Sequence, residues 1–261
     1  MDLSGQLAAA WGMAPALLLV SCRVGALFFT APLIGGPFVP ARIKVMLSMV
    51  IAVMLLPIVA PHLPKPLDLG LGFFLLIMLE LATGATIGFA CTCIYEGVRA
   101  GGELINRYAG FTAAENFDPE SGMGEGPVGD LLLIGMVLVF LAADGHLHLL
   151  ATAAASFGAV PIGAFEPGAR TLHFAAEATG QCMAVAAMIS FPVLAVIMLI
   201  TVGEGVVAKA VPQINILFIS FSVKILVSLL VLYAGMPATV AFMGACTAAI
   251  QRITGAAVGA M

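Results

Sequence analysis

Three charges stand where charge is expensive. Arg23, Glu80 and Lys224 each lie well inside an apolar run of the chain. An Arg, Lys or Asp at the centre of a membrane helix costs about 2.5 to 3.5 kcal/mol on insertion scales, so such groups normally face protein or a water-filled path. Two chemistries fit them. Arg23 and Lys224 could form buried ion pairs with carboxylates such as Glu80 or Glu204, or Arg23, Glu80, His146 and Lys224 could line the path of a transported metal ion or small solute. Asp144, His146 and His148 form the closest approach to a metal set. On one helix Asp144 and His148 would share a face at i, i+4. His146 would point about 160–200° away, so the three cannot hold one ion from one helix.

Motifs for enzyme chemistry do not follow. His146-Leu147-His148 lacks the Glu and the spacing of a zinc protease helix, no Gly-x-Ser-x-Gly elbow occurs, and no Gly-rich loop ends in Lys-Ser/Thr. The run Asp118–Gly126 misses the alternating ligand spacing of a calcium loop. The five cysteines (Cys22, Cys91, Cys93, Cys182, Cys246) are odd in number and fit neither a zinc ribbon nor a disulfide framework, so they read as small buried hydrophobes. The sequence therefore predicts no catalytic residues, no cofactor and no metal. No basic patch with interleaved aromatics points to nucleic acid.

The elements that must carry these residues are set by solvent. The chain is 62% hydrophobic and 9% charged, against roughly 25% charged in an ordinary soluble domain. Its mean hydropathy is +1.14. A helix needs about 20 apolar residues to cross the hydrocarbon, and long uncharged runs at 3–22, 45–59, 178–203 and 225–251 supply them. The chain is expected to be an all-α, multi-helix integral membrane protein of about six to eight apolar segments, with bent or broken hairpins. Six segments fall at about 12–31, 42–61, 69–95, 129–157, 175–208 and 213–235, with a seventh, interrupted stretch from about 238 to the end. The start, Met1-Asp2-Leu3, has no basic region and its apolar run holds Arg23, so it is expected to be retained rather than cleaved as a signal peptide.

Prolines mark the joints at 31–42, 61–66, 161–168 and 212–213, and Pro192 is expected to kink or break the segment that contains it. Arg42, Lys44, Arg99 and Arg107 against Lys65 and Arg170 put the first and third joints in the cytoplasm and the N-terminus outside. Gly84 and Gly88, Gly97 and Gly101, and Gly255 and Gly259 are each four apart. Such pairs let backbones approach closely, either within this chain or against other subunits.

One stretch stands apart. Between Glu115 and Asp130 lie five of the 14 acidic residues, and no Lys or Arg occurs between Arg107 and Arg170. Read from its residues, the Gly-rich acidic loop at 110–128 is either an ordinary solvated connector or a movable element in a wet lumen. Gly122, Gly124 and Gly126 make movement cheap.

Four stretches together resemble the FliR family, the R-type subunit of the flagellar type III export gate. They are RVGALFFTAPLIGGPFVPARIKVMLS at 23–48, GFTAAENFDPESG at 110–122, DGHLHLLATAAASFGAVPIG at 144–163 and VPQINILFISFSVKI at 211–225. The injectisome SctT-type subunit is a close relative of that family. The resemblance covers nearly all 261 residues and implies one export-gate membrane domain with a structural role. It implies partners of FliP and FliQ type around a pore, components of FlhB and FlhA type, unfolded flagellar proteins as cargo, and a place in the bacterial inner membrane at the flagellar basal body. It also implies that the 110–128 loop plugs the resting pore. Phe111, Glu115, Phe117, Asp118, Pro119, Gly122 and Met123 are then its plug residues.

Overall fold

The computed structural model describes residues 3–31, 39–59, 70–112, 126–210 and 216–259. Among them are seven helices and no strand: α1 (Leu3–Thr30), α2 (Ala41–Val59), α3 (Leu71–Ala109), α4 (Pro127–Ala142), α5 (Gly145–Ala159), α6 (Ala169–Ala210) and α7 (Ile216–Gly259). Three are long and apolar enough to cross a membrane, at Leu71–Ala109, Ala169–Ala210 and Ile219–Gly259, and the bent pair α4–α5 could form a fourth span. The chain is an all-α membrane protein. In hydrocarbon every backbone group must find its partner within the segment, and a helix provides that.

The described elements form two compact units. The first takes in residues 1–92, 144–178 and 248–261. There α2 packs along α1, with Gly25 facing Ser48. The core is built from Leu19, Val20, Val24 and Leu27 of α1, Ile87 and Ala90 of α3, and Leu149, Ala153 and Phe157 of α5. The hydroxyl of Thr92 donates to the carbonyl of Thr30, giving the last residue of α1 a partner. The second unit takes in residues 93–143 and 179–247. Val128, Leu132, Met136 and Phe140 of α4 are buried four apart on one face. Phe140 meets Tyr95 of α3 edge-on, with ring centroids 6.0 Å apart.

Several boundaries differ from those read from hydropathy, for physical reasons. The third segment was expected to end near residue 95, but α3 runs to Ala109, so Arg99 and Arg107 lie in a helix rather than a joint. Val98, Gly101, Gly102, Ile105 and Ala109 are buried at helical spacing while Arg107 and Tyr108 are exposed, an amphipathic period that mean hydropathy averages away. Conversely, 129–157 is not one segment. Asp144 takes left-handed backbone (φ 53°, ψ 27°) and its carbonyl accepts the N–H of Leu147 and of His148, at 3.0 and 3.2 Å. Asp144-Gly145 is a turn dipeptide that marks such a break. The helices α6 and α7 continue through Pro192 and Pro237, so Pro192 breaks nothing and the interrupted last stretch joins the one before it. Lipid offers the flanking turns no alternative hydrogen-bond partners, so the helical path is retained across the proline. All five cysteines are free; Cys91, Cys93 and Cys246 are buried, whereas Cys22 and Cys182 are only half-buried.

The glycine pairs fall into two kinds. A side chain at Gly84 would strike the carbonyl oxygen of Arg23, and one at Gly88 the hydroxyl of Thr30, so both lie directly on α1. A Cβ at Gly97 would sit 2.7 Å from the carbonyl oxygen of Cys182, and one at Gly101 would sit 2.9 Å from that of Ala186, so both lie on α6. Gly255 and Gly259 meet nothing within 4 Å. Gly84→Ala and Gly97→Ala are therefore expected to lower stability by about 1–3 kcal/mol, because neighbouring backbone must shift. Gly255→Ala is expected to be neutral or slightly stabilising in the isolated chain. Thermal unfolding in detergent checks the contrast; equal midpoints for all three would remove it.

Candidate functional site

The interior charges singled out from the sequence form two sites, one in each unit. In the first unit Arg23 and Glu80 are 1% and 0% exposed. Arg23 Nε donates to Glu80 Oε2 at 2.6 Å and Nη2 to Glu80 Oε1 at 3.0 Å, a bidentate pairing that only the guanidinium fork allows. The remaining Nη1 donates to Ser156 Oγ at 3.2 Å and to the Val160 carbonyl at 3.0 Å. The Phe157 ring lies 4.2 Å below the guanidinium carbon, in the range of a cation–π contact. Glu80 Oε1 also accepts the backbone N–H of Gly163 at 3.1 Å. That N–H is presented by the turn in which Ala164 N–H bonds to the Pro161 carbonyl, with Gly163 at φ +82°.

This ion pair ties α1, α3, α5 and the joint after α5 together at one point. Each side chain points inward because its own helix is apolar on both sides of it, so burying the helix buries the charge. With both charges paired and each guanidinium nitrogen bonded at least once, the arrangement is suited to holding elements in register. Among the described residues it leaves no carboxylate oxygen or guanidinium nitrogen without a partner. Ser156, Phe157 and Val160 were not singled out from sequence. The trace was the Ser-Phe…Pro stretch at 156–161, whose spacing delivers the hydroxyl, ring and carbonyl to one guanidinium.

In the second unit Lys224 Nζ lies 3.0 Å from Glu204 Oε2, with the side chains 17% and 20% exposed. The other carboxylate oxygen, Glu204 Oε1, is enclosed without a hydrogen-bond partner among the described residues. This pair is looser than the first and single-pronged.

Elsewhere the predicted residues are less gathered. His146 is half-buried with Nδ1 enclosed and unbonded among the described residues, and Asp144 and His148 are exposed. Among the described residues no three His, Cys, Asp or Glu side chains group as metal ligands. Phe111 is half-buried at the end of α3. Glu115, Phe117, Asp118, Pro119, Gly122 and Met123 lie outside the described residues.

Comparison with known proteins bears on the whole chain. The sequence profile of the family described as "Bacterial export proteins, family 1" matches residues 14–250. The "Flagellar biosynthetic protein FliR" of Pectobacterium carotovorum subsp. carotovorum is 30% identical over 213 residues, 80% of either chain. That of Bacillus subtilis (strain 168) is 28% identical over 221 residues, 84% of this chain and 85% of its own. The "Yop proteins translocation protein T" of Yersinia pestis is 24% identical over 163 residues, 61% of this chain and 62% of its own. With the profile reaching into all seven helices and taking in both ion pairs, the chain belongs to bacterial export proteins, family 1, the FliR family.

Proposed function

We propose that this chain is the R-type structural subunit of a flagellar type III export gate, working in the bacterial inner membrane at the basal body. Its whole length serves as one gate module, joining FliP-type and FliQ-type subunits around a pore for unfolded flagellar proteins. FlhB-type and FlhA-type components act with it. The observation that carries this reading is the family match over residues 14–250. Its surface supports it: of the most apolar window in Ile219–Gly259 only 6% is buried within the chain. Leu226, Leu229, Leu230 and Tyr233 are exposed there, and they require lipid or other subunits to cover them.

Within this reading the 110–128 stretch is the plug of the resting pore, with Phe111, Phe117 and Met123 as its bulk. The pairs Arg23–Glu80 and Lys224–Glu204 hold the frame. A transporter built on Arg23, Glu80, His146 and Lys224 is less well supported, because Arg23 and Glu80 are already paired with one another.

Co-expression with P-type and Q-type subunits is expected to yield one complex on affinity purification, with a native mass larger than any single chain. Recovery of this chain only as a free homomer that moves a solute by itself would overturn the proposal.

A further inference from the structure

The two ends of the central loop are held by one buried residue, by its backbone carbonyl at one end and its side chain at the other. Asn106 is 0% exposed and sits one turn before the end of α3. Its carbonyl accepts the N–H of Gly110 at 3.2 Å and of Phe111 at 3.0 Å. Gly110 has φ +89°, so α3 ends in the turn that glycine favours, with the second residue past the helix bonded back to this carbonyl. A Cβ at Gly110 would also press on the Phe221 ring, at 2.7 Å from its edge.

The side chain of the same residue serves the other end. The first turn of α4 begins at Gly126, which has extended backbone (ψ 150°) and no side chain to cap with, followed by Pro127. Proline has no N–H to satisfy, so Val128 is the first residue of α4 whose N–H needs an acceptor. That N–H donates to Asn106 Oδ1 at 3.1 Å. The cap that an N-terminal Ser or Asp ordinarily supplies from its own position comes here from a different helix. Gly126 is what makes room: a Cβ there would occupy the space of the Asn106 amide. The amide nitrogen lies 3.5 Å from Glu103 Oε1, which turns the oxygen toward Val128. Just beyond, a Cβ at Gly102 would sit 2.5 Å from the Gly129 Cα, so the two backbones touch.

We propose that Asn106 is a positioning residue, a clasp that fixes the spacing between the end of α3 and the start of α4, the two roots of the loop. This rests on the plug reading for its functional meaning, but not for its geometry. Among the described residues the clasp's bonds go to Gly110 and Phe111 at one root, Val128 at the other, and Glu103 beside it.

The test uses the complex assembled with P-type and Q-type subunits, carrying spin labels at Arg107 and Leu131, both exposed in the chain. The inter-label distance and the resting ion leak are measured together. Asn106→Ala is expected to broaden the distance distribution and to raise the leak, with about a fivefold gain in the frayed population, the usual worth of one cap. Asn106→Asp combined with Glu103→Gln keeps the acceptor for Val128 without facing two carboxylates and is expected to stay narrow, which also covers the case that the alanine variant fails to assemble. A distribution unchanged by Asn106→Ala overturns the clasp. Broadening with no added leak, in a complex that leaks when Thr112–Gly122 is deleted, overturns its positioning role. If the deletion itself stays tight, the plug reading falls instead, and the clasp stands or falls on the spacing alone.

Discussion

Glu80→Ala is expected to cost about 3–5 kcal/mol of stability, the usual penalty for stranding one member of a buried ion pair. The magnitude follows from what remains. Arg23 would keep Ser156 Oγ and the Val160 carbonyl, two neutral acceptors for a full charge with 1% exposure. Gly163 N–H would lose the acceptor it has among the described residues. Arg23→Ala should cost a similar amount by leaving the Glu80 carboxylate with that one N–H. Lys224→Ala should cost less, because its pair is single-pronged and less deeply buried. Arg170→Ala, at an exposed position, should cost nothing measurable. Thermal unfolding in detergent and the yield of assembled complex report the order. Replacing Arg23 and Glu80 together by Met and Leu should recover part of the loss, since no charge is then stranded, but not all of it, because Gly163 N–H stays unpaired. If Glu80→Ala and Arg170→Ala behaved alike, the pair would hold nothing together.

The sequence announced these charges by contrast, and that contrast is why they were legible. An Arg or Glu in an uncharged run is visible without any knowledge of the fold, and only its partner is hidden. The partner was hidden because 57 residues separate Arg23 from Glu80 and 133 separate Arg23 from Ser156, and no local rule spans such distances. Helix number and apolar character were legible for the same reason that the solvent was: composition alone excludes an aqueous surface. Boundaries were not, wherever polar residues occupy the outer face of a helix, as at Glu96, Arg99 and Arg107 of α3. Asn106 was missed altogether. A lone Asn near a helix end is common, and its meaning depends on Gly126 and Pro127, twenty residues on, having given up their own capping groups.

The second large effect is expected from deleting Thr112–Gly122. The gap is expected to close, because Phe111 and Val128 are each one hydrogen bond from Asn106, and the four peptide steps then joining Phe111 to Gly126 span up to about 14 Å. The helices α3 and α4 keep their contacts, so the complex should assemble in normal yield. What it loses is bulk: Phe117, together with the acidic residues Glu115, Asp118 and Glu120. Those like charges oppose tight burial, so the resting closure should be shallow, and small pushes should open it. The deletion complex is then expected to conduct small ions at rest, measurable as conductance in planar bilayers or as growth inhibition on overexpression. Neutralising the acids, as Glu115→Gln with Asp118→Asn and Glu120→Gln, should act in the opposite direction, deepening closure and slowing export while leaving the resting leak low. A deletion complex as tight as the intact one would return the loop to the role of a solvated connector, and the charge-neutralised variant would then export at the normal rate.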